Sequence, residues 1–180
     1  ISMNGLIDMS GFEGTYYSTS SNRYQWGGGG GSGGSVLINT PLFEGTGTIK
    51  ANGGNGQLGC YYSRPDSCNS GAGSGGRLAI WSDVTTFSGS LQTKGGIGGV
   101  GYRGSAGTIY QHAPQSNVID RLIIDNMDTA SSQFVTPICN SKQTNYSVTN
   151  LHVMNQARVS FQAANLPSQQ RVTAQIGNLH

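Results

Sequence analysis

Short runs of alternating apolar and polar residues recur along the first two thirds of the chain, each set between glycines. Ile7, Ile49 and Leu91 occupy the centres of three such runs, at a constant spacing of 42. Glycines flank these runs at the same spacing: Gly5, Gly47 and Gly89 before them, and Gly11, Gly53 and Gly95 after them. Apolar residues at alternate positions are typical of short β-strands. The pattern therefore predicts a strand-containing repeat with a period of 42.

A second strand is predicted in each repeat. Val36 and Ile38 have counterparts in Leu78 and Ile80 at the same spacing, and the segment 106–110 echoes them after a shorter interval of 31. Each unit is interpreted as two strands, a turn and a long glycine-rich loop. No helix is predicted, because glycine and β-branched residues disfavour helices and no window shows sustained helical spacing.

The glycines become rare after Val118, and longer strand-like runs follow. We therefore divide the chain into residues 1–112, with glycine-rich β repeats of period 42, and residues 113–180, a strand-rich continuation. Because the chain ends on a strand-like run and lacks an initial Met, we expect a fragment of a longer protein. The apolar residues expected in the interior are Ile7, Val36, Ile38, Ile49, Leu78, Ile80, Leu91, Leu122, Ile124, Val153 and Val159.

Composition suggests why glycine is abundant. The chain has 29 glycines in 180 residues, against about 7% in average proteins, and only 10% charged residues. Glycine fits corners that need positive φ, and places where two backbones approach closely. With roughly 20 residues per coil, one period would make two coils. The sequence thus predicts an all-β fold, a glycine-rich parallel β-helix (β-solenoid) with long loops. A phage-type polyglycine sandwich is the rival, and we expect it to need longer runs than Gly27–Gly34.

The segments 28–38, 45–54 and 75–80 carry a resemblance to a known group of proteins. They resemble the glycine-rich β-helix repeats of large extracellular surface proteins of protists and algae, and of some bacterial adhesins. The resemblance covers about residues 1–112. It implies cell-surface fibres, coats or adhesion, and it brings no catalytic residues.

The cysteines favour an oxidising compartment. Cys60 and Cys68 bracket a loop with a Pro-Asp turn signal, so a disulfide between them is predicted, which would contribute about 2–3 kcal/mol. A zinc site is the weaker interpretation, since no His lies near them. Cys139 is left as a buried thiol, the partner of a cysteine elsewhere, or an interchain link. Asn145 begins an N-glycosylation triplet, which also fits an extracellular or cell-surface location.

Charge and motifs argue against several functions. The net charge is +2 and the basic residues are scattered, so nucleic acid is not an expected partner. No apolar run reaches the length of a membrane span, so no membrane insertion is expected in this segment. The glycine run 27–34 lacks the Lys of a phosphate-binding loop, and no cofactor is expected.

Metal binding and catalysis are also disfavoured. Asp120, Asp125 and Asp128 could supply oxygen ligands to calcium, but turn and strand-end positions explain them better. The acidic residues fall at different phases of the repeat, and His112 has no evident nucleophile partner. We therefore expect no catalytic site, no metal site and no enzymatic activity.

Aromatic and arginine side chains in or beside the glycine-rich loops give the strongest functional signal. They could stack on sugar rings or pack against a partner, or simply cover glycine backbone. The candidate contacts are Tyr16, Tyr17, Tyr24, Trp26, Tyr61, Tyr62, Arg64, Tyr102 and Arg103. The function predicted is a structural or adhesive segment of a secreted, filament-forming surface protein. Its expected partners are neighbouring segments of the same protein, other surface proteins, or glycans. The alternatives are a carbohydrate-binding module and a polysaccharide-processing β-helix enzyme.

Overall fold

The chain folds into β-strands separated by glycine-rich segments. The computed structural model describes residues 1–18, 25–57, 70–99, 103–127, 134–140, 145–163 and 173–179. One 3₁₀ turn, Pro114–Ser116, lies between the eighth and ninth strands. The strands of the described residues are β1 (Leu6–Asp8), β2 (Tyr16–Ser18), β3 (Gln25–Gly27), β4 (Ser35–Phe43), β5 (Thr48–Lys50), β6 (Arg77–Thr85), β7 (Ser90–Gln92), β8 (Thr108–Ala113), β9 (Val118–Asp125), β10 (Thr136–Asn140), β11 (Asn145–Met154), β12 (Val159–Ala163) and β13 (Thr173–Leu179).

The largest sheet contains six strands in the order β13-β11-β9-β8-β6-β4. Strands β8 and β9 are antiparallel, and all other neighbours in this sheet are parallel. A three-stranded parallel sheet has the order β1-β5-β7. Two smaller sheets pair β10 with β12 in parallel and β2 with β3 antiparallel.

The strand registers confirm the equivalences read from the repeat. Ile7 pairs with Ile49, and Ile49 pairs with Leu91, so residues one period apart lie side by side. Val36 pairs with Leu78, and Leu78 in turn pairs with Ile109, the residue of the shorter echo. One repeat unit therefore brings the chain back beside itself once, and not twice as two shorter coils would.

The prediction of a parallel β-helix is wrong, although the all-β class is consistent with the structure. The sheets are mixed, and the described residues form no closed solenoid. The reversal has a local cause. Pro114 opens a 3₁₀ turn, and Asn117 ends it in the left-handed conformation with φ of 58°, which sends β9 back along β8. The long segments between strands are neither strand nor helix, so they do not extend the sheets.

Two hydrophobic cores lie on opposite faces of the six-stranded sheet. Along β9, Leu122 and Ile124 belong to one core, while the intervening Ile123 packs against the other, as alternation along a strand requires. Every apolar residue predicted for the interior belongs to one of the cores or packs against it. The first core contains Ile38, Phe43, Ile49, Ala51, Leu78, Ile80 and Ile109. The second core contains Ala106, Leu122, Ile124 and Leu151, with Ile138, Val159 and Phe161 among the residues packed on it.

The rest of the first half is filled by six glycine-rich segments, which we call the glycine bundle: 9–15, 51–57 and 93–99 leading away from the short strands, and 28–34, 70–76 and 103–107 leading to the long ones. Their backbones bond to one another with a spacing of three. The amides of Gly53 and Gly56 donate to segment 93–99, at 2.9 Å each, whereas Gly54 and Gln57 donate to segment 28–34, at 2.8 and 3.1 Å. A spacing of three means that each segment turns once every three residues and bonds to neighbouring segments. This is the geometry of polyproline-type helices packed side by side.

Close approach of backbones explains many of the glycines of this bundle. A Cβ on Gly75 would fall on the carbonyl oxygen of Thr93, and one on Gly73 would fall on that of Gly31. Among the described glycines only Gly45 has a left-handed φ, of 113°, so corners account for few of them. Short runs suffice for polyglycine packing here, because six segments each contribute a few residues.

Polar side chains tie neighbouring layers together. The side-chain oxygens of Asn4, Asn52 and Asn55 each accept a hydrogen bond from the backbone amide one period later in the chain. In the second half, the buried Asn126 accepts from the Gly95 amide, and the Thr136 hydroxyl donates to the Ala106 carbonyl. These two contacts join the second half of the chain to the glycine bundle.

Candidate functional site

A cluster of four polar and aromatic side chains lies on the outer face of the six-stranded sheet. Trp81, Tyr110 and His112 alternate with residues of the first core along β6 and β8, so they face the other way. Tyr110 is paired with Leu122, a residue of the second core, and paired residues share a face. The second core thus covers this face beyond β9, whereas Trp81 on β6 is 44% exposed.

Asp120 holds the cluster together. Its Oδ1 accepts a hydrogen bond of 2.5 Å from the Tyr110 hydroxyl and lies 3.1 Å from Nδ1 of His112. A carboxylate only accepts, so the second contact requires the imidazole proton on Nδ1. The Trp81 ring lies 5.0 Å from the Tyr110 ring and 5.2 Å from the His112 ring, tilted against both. Tilted rings at these distances attract each other.

A β-bulge places Asp120 in this position. The register changes between the pairs Gln111–Arg121 and Ala113–Val118, so two residues of β9 stand opposite His112 alone. Asp120 itself has φ of 43°, in the left-handed region that few non-glycine residues adopt. Backbone strain of this kind costs about 1–3 kcal/mol and is concentrated at functional sites. Asp tolerates it better than most residues.

The hydrogen bonds fix the charge state of the cluster. The bond from Tyr110, with a smaller effect of His112, lowers the pKa of the Asp120 carboxyl although partial burial opposes this. Burial and the nearby carboxylate raise the pKa of Tyr110 well above its ordinary value. At neutral pH the pair is therefore a charged carboxylate and a neutral phenol.

An open pocket adjoins Trp81 and His112. It is lined by Asn39, Pro41, Trp81, Asp83 and His112, together with more deeply buried hydroxyl residues. Asn39, Trp81 and His112 form one row across three strands, since they are paired in register. An aromatic wall with an amide, an imidazole and a carboxylate around it suits a ligand that is apolar on one face and polar at its edges.

The groups of the cluster can hold protons and can bond to polar ligands. In the described part of the chain, its hydrogen bonds join a carboxylate, a phenol and an imidazole. The described residues also contain no group of three or more His, Cys, Asp or Glu that could hold a metal ion. Asp125 instead accepts from the Met127 amide and from Asn155.

Few of the residues predicted from the sequence can be placed. Arg103 is half-buried and forms an isolated β-bridge with Ile97. Tyr16, Tyr17 and Trp26 lie on β2 and β3, where Tyr17 is paired with Trp26. Cys139 lies on β10, and Asn145 begins β11. The other predicted residues lie outside the described residues: Tyr24, Cys60, Tyr61, Tyr62, Arg64, Cys68, Tyr102 and Asp128.

Five described residues at one end of the glycine bundle are hydrogen-bonded to one another in a row. The Gly28 amide donates to Thr15, and that of Gln57 to Gly28. The Gly99 amide donates to Ser70 at 3.0 Å, and the Ser70 hydroxyl bonds to the Gln57 carbonyl. The ends of segments 51–57 and 93–99 and the starts of segments 28–34 and 70–76 therefore lie beside one another.

The sequence contains a signal for the cluster that the repeat pattern alone does not bring out. Trp81 follows Leu78 and Ile80 in the alternation of β6, so the sequence places this aromatic side chain on the face opposite the predicted core. The interval of 31 that relates β6 to β8 also relates Trp81 to His112, but it gives no link to Asp120, which reaches the cluster only through the bulge.

No protein family, curated protein or solved structure matches the chain. No helix of the described residues has the length and apolar character needed to cross a membrane.

Proposed function

We propose that this chain is a structural and adhesive segment of a secreted or cell-surface protein. The observation that carries the proposal is the glycine bundle, in which six segments are joined by backbone hydrogen bonds at a spacing of three residues. Such a body can be stiff without a thick hydrophobic core, because each segment is bonded to two or more neighbours. A stiff body with no conformational step to perform suits a passive role.

The sequence of three segments supports the adhesive part of the proposal: 19–24, 58–69 and 100–102. Gln57, Ser70 and Gly99, which adjoin the second and third of these segments, are hydrogen-bonded to one another at one end of the bundle. Those segments contain Arg23, Tyr24, Tyr61, Tyr62, Arg64 and Tyr102. Tyr and Arg are enriched in protein interfaces and contribute disproportionately to binding. Loops held by a rigid scaffold are where binding residues concentrate.

Bead adhesion tests the proposed role. Beads coated with the chain should cluster with one another or adhere to glycan-coated beads, and the double variant Tyr61→Ala, Tyr62→Ala should reduce adhesion several-fold. Leu37→Ala is the matched control, since Leu37 is 71% exposed but lies on the strand β4. Absence of adhesion by the wild-type chain, or equal adhesion by the double variant, would contradict the adhesive role.

Secretion can be tested on the same chain. When it is expressed through a eukaryotic secretory pathway, mass spectrometry should find a Cys60–Cys68 disulfide and a glycan on Asn145. Free thiols at both cysteines together with an unmodified Asn145 would argue against a secreted protein.

A further inference from the structure

We propose that the pocket beside Trp81 binds the ring of a neutral hexopyranose sugar. This inference rests on the adhesive role proposed above and gives it a ligand class. It concerns a sheet face and not the loops, so the two can be tested separately.

The first argument is shape and polarity. A pyranose presents a patch of C–H groups on one face and hydroxyls around its edge. Trp81 is 44% exposed, so its ring can accept the C–H face, while Asn39, Asp83 and His112 line the same pocket and can bond to hydroxyls. A purely apolar ligand would leave these polar groups without partners, which costs binding energy.

The second argument is rigidity. The Trp81 ring packs against Tyr110 and His112, and both of these are held by Asp120. A side chain that is fixed before binding loses little conformational freedom when the ligand arrives. The left-handed backbone at Asp120 and the bulge beside it serve this arrangement and have no evident role in either core.

The third argument is charge. Asp83 lines the pocket and Asp120 contacts His112 at its edge, and the lowered pKa of Asp120 keeps it ionised at neutral pH. The described residues that line the pocket include no Lys or Arg. An acidic sugar would therefore meet like charge, so the site favours neutral hexoses over uronic acids.

Saturation-transfer NMR on the whole chain tests the inference. The probes are the methyl glycosides of glucose, galactose and mannose, with methyl glucuronoside for comparison, at concentrations above a dissociation constant of about 1 mM. At least one neutral glycoside should receive saturation at its ring C–H protons, and the glucuronoside should receive less. Trp81→Ala should weaken binding about tenfold, and Trp81→Phe should retain most of it.

Two controls distinguish binding in this pocket from binding elsewhere on the chain and from loss of the fold. Leu37→Ala removes an exposed apolar side chain from the same sheet face outside the pocket, and it should leave binding unchanged. Circular dichroism should show that Trp81→Ala remains folded, as expected for a half-exposed side chain.

Three results would overturn the inference: no binding of any neutral glycoside, equal binding by Trp81→Ala and the wild-type chain, or tighter binding of the glucuronoside. None of these bears on bead adhesion. Adhesion that depends on Tyr61 and Tyr62, together with a negative sugar-binding experiment, would uphold the proposed function and remove only the sugar site. Negative results in both experiments would remove both proposals.

Discussion

The glycine bundle and the first hydrophobic core fill the interior of the same half of the chain in opposite ways. The core places aliphatic side chains between two sheets, with Ile49 of β5 against Leu78 and Ile80 of β6. In the bundle, by contrast, backbone lies directly against backbone and is hydrogen-bonded to it. One interior depends on removing apolar surface from water, and the other on satisfying backbone amides at short range.

Because of this difference, the two regions should tolerate opposite kinds of substitution. A core loses stability when a carbon is removed, because a cavity remains. The bundle should lose stability when a carbon is added, because the backbones already lie at contact distance. A substitution that changes one carbon in each region therefore compares the two directly.

The largest effect is expected for Gly75→Ala. The new Cβ would overlap the Thr93 carbonyl, which is fixed by a hydrogen bond from Gly107, so whole segments must separate. We expect a loss of about 3 kcal/mol or more in the free energy of unfolding, measured with urea. Gly71→Ala is the control, since nothing lies within 4 Å of its Cβ position, and it should change stability by less than about 0.5 kcal/mol. Equal effects of the two variants would mean that the bundle is not close-packed.

A smaller effect is expected for Ile80→Val in the first core. Ile80 is 3% exposed, and deleting one methylene there should cost about 1 kcal/mol in the same urea experiment. Leu37→Ala, on the exposed face of the neighbouring strand, should cost less than about 0.5 kcal/mol. If Ile80→Val proves more damaging than Gly75→Ala, the aliphatic core and not the bundle dominates the stability of this half.

The smallest effect is expected for Asp120→Asn, and it should depend on pH. The folded state lowers the pKa of Asp120 below its unfolded value of about 3.9, so its contribution is present above that pH and is lost as the pH falls through the folded value. The carboxylate is 39% exposed, so solvent screening should hold the effect below about 1 kcal/mol.

Urea unfolding at pH 7 and near pH 3 checks this prediction. At pH 7 the free energy of unfolding of the wild-type chain should exceed that of the Asp120→Asn variant, and this difference should disappear at the lower pH. Asp83→Asn, on the same face, is the matched variant. A gap that stays constant with pH would show that Asp120 acts through its shape and not through its charge.

The sequence predicted the strands better than their arrangement. The spacing of Ile7, Ile49 and Leu91 gave the correct pairing, because a repeat that buries apolar residues at one phase must stack them in register. The β-helix failed at Pro114–Asn117, where a single turn reverses the chain. A local turn of this kind leaves no trace in the periodicity.

The spacing of the glycines does predict how their segments pack. Triplets such as Gly30-Gly31-Ser32 and Gly53-Gly54-Asn55 place two glycines in every three positions, which is what a threefold segment needs when two of its sides touch other backbones. The cluster around Asp120 could not be predicted from the sequence in the same way. Its members come from β6, β8 and β9, and only the antiparallel register and its bulge bring Asp120 to Tyr110 and His112.

The turn at Pro114–Ser116 also determines how such a molecule could grow. The long and the short strands before β8 repeat in parallel, so inserting another repeat unit ahead of it would thicken the stack by one strand spacing, about 4.8 Å, and disturb nothing after the turn. Past the turn, β9, β11 and β13 run antiparallel to β8 and parallel to one another. Their paired residues are 28 or 29 positions apart, as in Asn145–Thr173 and Arg121–Asn150, so a unit of 42 residues would not match them. Duplication can thus change the dimensions of the first half in discrete steps while the second half keeps its shape.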